Sequence, residues 1–194
     1  MLAASSQCGA EPPFSLFGVM KLKKMKKTNA ARLLDNLKID YEIKTYEVDE
    51  SDLSAEHVAA TAGLDIKTVF KTLVAKGDRT GIIMAVINGA DELDLKALAR
   101  ASNNKSVELI ALKDLLPTTG YMRGGCSPLG AKKNFPVYID QKATALEKIS
   151  ISAGLRGQQL ILAPDDLIRA ANAAVADIIS CFGTANPQSA TSTR

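Results

Sequence analysis

Tryptophan is absent from this chain, and tyrosine and phenylalanine bring the aromatic share to only 5%. That scarcity argues against the broad base-stacking platforms of single-strand nucleic-acid binders. Histidine occurs once, at His57, too few for a metal centre built on imidazoles. The cysteines, Cys8, Cys126 and Cys181, lie far apart with no CxxC pair, which fits neither a disulfide framework nor a zinc site. A reducing cytoplasm is therefore the expected compartment. No apolar run is long enough to cross a membrane, and there is no internal repeat. Net charge is only +3, too small to argue for nucleic acid by itself. What remains is ordinary for a globular protein, with 46% hydrophobic and 23% charged residues. A length of 194 residues suits one domain with a sound core.

Familiar hydrolase equipment is also missing. A Ser-His-Asp triad would need His57, whose segment carries no GxSxG nucleophile motif. Cys126 has no second histidine to activate it and reads as a small residue packed within a loop. There is no Walker lysine, no dinucleotide fingerprint and no motif with paired carboxylates.

Taken in order, residues 1–24 differ from the rest. Pro12-Pro13 interrupts any helix, and positive charge follows the apolar stretch instead of preceding it, unlike a signal peptide. The run Lys21, Lys23, Lys24, Lys26 and Lys27 reads as a solvated tail, with a phosphate contact as the alternative. The segment is expected to be a disordered extension or the product of an upstream start site. Thr28-Asn29 caps an expected helix with Ala30, Leu33, Leu34 and Leu37 on one face, ended by Asp40. Tyr41 to Tyr46 alternates like a strand. Ser54 caps a second helix stopped by Gly63, and His57 on it is assigned no chemistry. Val69 to Ala75 and Gly81 to Ile87 form an expected hairpin across Lys76-Gly77-Asp78. A helix over Leu95 to Ala101, a strand over Val107 to Ile110 and a short helix to Leu116 follow. Pro136 to Asp140 then forms a strand. Lys148 to Ser152 pairs with Gln158 to Leu162 across a Gly154-to-Gly157 turn, and a last helix runs from Pro164 to Ala174. The Ser/Thr/Pro-rich residues 181–194 read as a disordered tail. Helices and strands are interspersed, with hairpins at both ends of the core. An α+β domain on a mixed, mainly antiparallel sheet flanked by helices is expected over residues 25–180.

Two features carry candidate chemistry. Strand alternation puts Lys71 on the face of Val69 and Leu73. A charge on an apolar face costs several kcal/mol unless it is paired or meets a ligand; a solvent-exposed face would make the lysine ordinary. The second is Thr118 to Gly130, four glycines and a proline in a stretch that can hold neither a helix nor a regular strand. Such a loop is either a compact surface connection or a nest whose N–H groups converge on an anion or a carbonyl. Read from residues alone, the site is a cleft with one lysine, a backbone nest, hydroxyls and no strong base.

Thr119-Gly120-Tyr121-Met122-Arg123-Gly124-Gly125-Cys126-Ser127-Pro128-Leu129-Gly130 resembles the signature loop of the YbaK family of free-standing aminoacyl-tRNA deacylases. Val69-Phe70-Lys71-Thr72-Leu73-Val74 before it and Ile151-Ser152-Ala153-Gly154-Leu155-Arg156-Gly157 after it agree in order and distance, and the match runs from about Lys26 to Ile179. The resemblance implies removal of the wrong amino acid, typically cysteine, from proline-specific tRNA, without a cofactor or metal. In that family the cysteine thiol attacks its own ester carbonyl and leaves as a cyclic thiolactone, which gives the absent base a meaning. The pocket then works by positioning and oxyanion stabilisation. Relatives acting on alanine use water and the ribose hydroxyl.

By the same resemblance, Lys71 is the lysine that anchors the aminoacyl-adenosine end, Gly124 lines the ester site, and Ser152 orients the substrate. Tyr46 flanks the pocket, and Thr72, Arg123, Gly125, Ser127 and Arg156 fall within the motifs as substrate contacts. Three departures bear on amino-acid specificity. Ala153-Gly154 replaces a usual Gly-Gly, Leu155 replaces a lysine, and Asp52-Leu53-Ser54 lacks an aromatic. Ser150 shares a strand face with Ser152 and takes its place if the register slips. Few tRNA contacts are expected of so small a domain, so prolyl-tRNA synthetase is the implied partner that presents aminoacyl-tRNA(Pro) and raises its effective concentration. The competing readings are a non-catalytic tRNA- or nucleotide-binding module and a hydrolase of another activated acyl ester.

Overall fold

The computed structural model describes residues 27–180, so the expectations for residues 1–24 and 181–194 lie outside the described residues. Two sheets organise the chain. One has the order β4-β2-β3-β5-β8 and the other β1-β7-β6. In sequence the elements are α1 (Asn29–Leu37), β1 (Glu42–Thr45), α2 (Ala55–Ala62), β2 (Phe70–Gly77), β3 (Gly81–Asn88), α3 (Leu95–Ala101), β4 (Val107–Leu109), α4 (Leu112–Thr119), β5 (Val137–Asp140), β6 (Ile149–Ser152), β7 (Gln158–Leu162), α5 (Pro164–Ala171) and β8 (Ala174–Ala176). Pairings are antiparallel except β3 with β5 and β5 with β8. The expected α+β class and mainly antiparallel pairing hold, but the sheet is divided in two. The halves touch through a parallel bridge between Val69 and Ser150.

β3 shows how the core is built. Its run Ile82-Ile83-Met84-Ala85-Val86-Ile87 is apolar on both faces because both faces are covered. Met84 and Val86 enter the larger cluster with Leu34, Leu129, Ile139, Ile149, Ile151, Leu160 and Leu167, between the two sheets, α1 and α5. Ile83, Ala85 and Ile87 enter the smaller one with Leu98 and Ala99 of α3. Burying side chains of this size contributes about 1.5–3 kcal/mol each. Sheet termini are fastened by Asp140, 1% exposed, whose carboxylate accepts from the N–H groups of Lys142 and Ile178 at 2.9 and 3.0 Å.

Caps set the helix ends. The Thr28 hydroxyl accepts from Ala31 N–H, and Ser54 accepts from His57 N–H. α1 stops at Lys38, in the left-handed region at φ 55°, two residues before the expected Asp40. α5 stops at Ala171 because Asn172 takes φ 48°, which frees Ala174–Ala176 to pair with β5 as an unexpected strand. α4 continues through Pro117 to Thr119, three residues past the expected Leu116, with Gly120 as its left-handed cap. β1 is exposed at all four positions, because it is an edge strand laid against β7 alone. Among the described residues no helix is long and apolar enough to cross a membrane.

Candidate active site

The cleft lies where the ladder of β2 is interrupted. β3 pairs along the whole of β2, but β4 joins the other edge only from Ala75, and β6 bridges only to Val69, the residue just ahead of β2. Between these contacts opens a cavity of about 520 Å³, within the range of small-molecule sites. Its walls come from the start of α2 (Leu53, Ser54, Ala55), from Val69 to Val74, from Gly89 to Glu92, and from Leu109, Leu112 and Leu115. Arg123, Gly124 and Cys126 of the glycine-rich loop, with Ser152 and Gln159 of the second sheet, complete it.

Lys71 is half-buried, and its Nζ donates to the carbonyl of Gly89 at 2.8 Å. An ammonium has three donors, so two remain for a ligand. The Gly89 acceptor is held by its own N–H to Val69 O at 2.7 Å. Asn88 braces the same corner, donating to the carbonyls of Ile66 and Lys67 and accepting from Ala90 N–H. Asp91 in the cleft is already engaged by Lys142 Nζ at 3.0 Å. The cleft lining thus includes two cations, Lys71 and Arg123, and three acids, Glu56, Asp91 and Glu92.

The glycine-rich loop is closed by Tyr121, whose hydroxyl donates to Leu129 O at 2.6 Å. Gly124 sits at φ 78°, in contact range of Leu53 across the cleft, a backbone that few L-residues adopt. The expected nest is reduced. Gly125 donates its N–H to Met122 O and packs on the Leu155-Arg156 backbone, so it faces away from the cleft. Lys132 lays its stem across Gly120.

Of the nine residues singled out from the sequence, Lys71, Thr72, Arg123, Gly124 and Ser152 line the cleft. Tyr46, Gly125, Ser127 and Arg156 do not, each for a visible reason. Tyr46 continues the β1 edge, its N–H bonded to Gly157 O. Ser127 is fully buried, and its hydroxyl accepts from Leu129 N–H at 3.3 Å to shape the turn. Arg156 supports the wall from behind, donating Nε–H to Arg123 O at 2.8 Å and pairing with Glu50 at 3.1 Å. Ser152 and Ser150 are distinguished by the register. Ser152 lines the cleft and accepts from Gly154 N–H, whereas Ser150 donates to Gln159 Oε1 at 3.2 Å. Sequence reading missed Gly89 and Gln159 and met Leu53 only within the stretch that lacks an aromatic; only the Asn-Gly pair closing an apolar strand gave any signal for Gly89.

Ordinary nucleophiles are disarmed. Burial pushes the Cys126 thiol up to about 12, so it carries no thiolate near neutrality. His57 lies outside the cleft, 3.7 Å from Asp52. Among the described residues no cluster of three or more His, Cys, Asp or Glu could hold a metal. Thr72, one of the lining residues, also carries the one buried side-chain polar atom among the described residues that lacks a hydrogen-bond partner, its Oγ1. Such an atom costs about 1–3 kcal/mol.

Comparison with known proteins agrees with this architecture. Residues 49–170 match the model of the aminoacyl-tRNA editing domain. The chain is 48% identical over 158 residues to an Enterococcus faecalis protein named "Putative Cys-tRNA(Pro)/Cys-tRNA(Cys) deacylase EbsC", covering 81% of this chain and 96% of that one. A solved structure described as "a putative trans-editing enzyme for prolyl tRNA synthetase" superposes with TM-score 0.65 at 22% identity, over 78% of this chain and 97% of its own. That of a hypothetical protein gives 0.70 at 21% identity, over 77% and 97%. The two structures share the fold. By its matching domain and its EbsC relative, this chain belongs to the YbaK-like family of aminoacyl-tRNA editing domains.

Proposed function

We propose that this protein is an aminoacyl-tRNA deacylase that edits in trans, clearing cysteine from mischarged Cys-tRNA(Pro). One observation carries the reading: the cleft offers a lysine with donors to spare beside a glycine turn, while its one cysteine is held protonated by burial and the histidine lies outside it. A site so equipped suits a substrate that brings its own nucleophile. The cysteine thiol attacks the ester carbonyl, a C–S bond forms as the C–O bond breaks, and the thiol proton passes to the departing ribose oxygen. The residues supply geometry and charge. Lys71 and the Gly124 backbone face the carbonyl oxygen as it gains charge, and Ser152 orients the ester. A cleft lined by both acids and cations suits an aminoacyl end that carries both an α-ammonium and a phosphodiester. Prolyl-tRNA synthetase is the proposed partner that holds the tRNA body.

Release of labelled cysteine from Cys-tRNA(Pro), with Ala-tRNA(Pro) and Pro-tRNA(Pro) in parallel, tests this. Cysteine alone should leave. Equal loss of alanine would require water as the nucleophile. If nothing leaves while tRNA binds in a salt-sensitive way, the chain is a binding module.

A further inference from the structure

Strand alternation places Phe70, Thr72 and Val74 on one face of β2, with Lys71 and Leu73 on the other. Phe70 and Val74 are buried, and together with Leu115 and Cys126 they form the apolar inner part of the cleft. Thr72 stands between them with an unpartnered hydroxyl. Valine would fill the same volume, suits a strand equally well and leaves no orphan polar atom. A threonine is explained there if its partner arrives with the ligand.

Resting on the deacylase reading for its substrate, we propose that Thr72 selects the amino-acid side chain, its hydroxyl pairing with the thiol of a cysteinyl ester. Thr72 as a residue is half-buried while Oγ1 is withdrawn from solvent. No hydrogen bond holds it there, and in this proposal a turn about χ1 to another staggered position brings the hydroxyl to the ligand. A thiol is a weak donor and acceptor that tolerates apolar walls. The methyl of an alanyl ester gives the hydroxyl nothing, and a seryl hydroxyl surrenders more hydration to enter.

The test uses hydrolysis-resistant amides, 3′-cysteinylamino-3′-deoxyadenosine with its alanyl and seryl counterparts, titrated calorimetrically into the full chain. Wild-type protein should bind the cysteinyl amide most tightly. Thr72→Val should lower the cysteinyl-over-alanyl preference by about fivefold or more while raising Tm, and Thr72→Ser should keep the preference. Thr72→Ala should lose it too, which covers a valine variant that packs badly. An unchanged preference in both Thr72→Val and Thr72→Ala, or no preference in wild type, overturns the proposal. Preferential binding without cysteine release from Cys-tRNA(Pro) would sink the deacylase reading and leave the selectivity of Thr72 standing.

Discussion

Lys71 Nζ lies 2.8 Å from the carbonyl oxygen of Gly89, so this cleft cation is aimed by the residue that follows β3. Removing the ammonium leaves that carbonyl facing an open cleft, where water replaces the lost donor. Lys71→Ala should therefore cost little stability, within about 1 kcal/mol. It should cut kcat/KM for Cys-tRNA(Pro) by about 100-fold or more, as loss of an electrostatic stabiliser does. Thermal melts beside deacylation rates check this. Activity and Tm falling together would mark the lysine as structural.

Gly89 is placed by close approach. A Cβ added there would overlap the Cβ of Ala55, the first residue of α2, and lie 3.2 Å from Val69 O. Neither neighbour is the free end of a flexible side chain. Gly89→Ala should destabilise by about 1–3 kcal/mol and shift the acceptor that aims Lys71. Activity should then fall further than the loss of folded protein explains, as measured by urea unfolding and rates at a temperature where the variant is fully folded. A variant with wild-type rates would show that this corner does not position the lysine.

What the sequence disclosed depended on how local each cause was. Ser54 and Gly63 bound α2 through contacts within one turn, and the apolar run of β3 reads as a strand without knowing its neighbours. β8 was hidden because three residues containing two alanines acquire strand geometry only from β5, far away in sequence. The division into two sheets was hidden for the same reason, since β6 and β2 meet at Val69 and Ser150. Lys71 was legible because a charge interrupts a local apolar pattern. Gln159 was not, because nothing near it indicates that β7 faces the cleft beside Ser152.

Arg156 joins three segments that are remote in sequence, the β6–β7 turn, the glycine-rich loop through Arg123 O, and Glu50. The Glu50 pair is mostly solvated and worth little; the bond to the loop carbonyl is the one that supports the cleft wall. Arg156→Ala should lower kcat/KM about tenfold through loss of positioning and speed amide hydrogen exchange across Met122–Gly125. Arg156→Lys should not restore either, because a point-charge ammonium lacks the planar fork that reaches both partners. Unchanged exchange in the loop would refute the bracing role.

Alkaline pH should weaken the fold through two neighbours in the same loop. Burial pushes the Cys126 thiol from 9.0 up to about 12, and burial with the nearby Cys126 pushes the Tyr121 hydroxyl from 10.0 up to about 12. Between those values the unfolded chain loses protons that the folded chain retains. Stability from these groups is thus complete below about pH 9 and is lost as pH rises toward about 12. Tm should be level from about pH 7 to 8.5, then fall, and Cys126→Ala with Tyr121→Phe should flatten the decline. Tyr121→Phe also loses the 2.6 Å bond to Leu129 O, at about 1 kcal/mol across all pH, which separates that offset from the change in slope. Over the same range the thiol should resist iodoacetamide until pH approaches 11, since alkylation follows the thiolate. Rapid modification of the folded protein at pH 8 would mean that Cys126 is exposed, and its standing as a packed, inert wall of the cleft would fall.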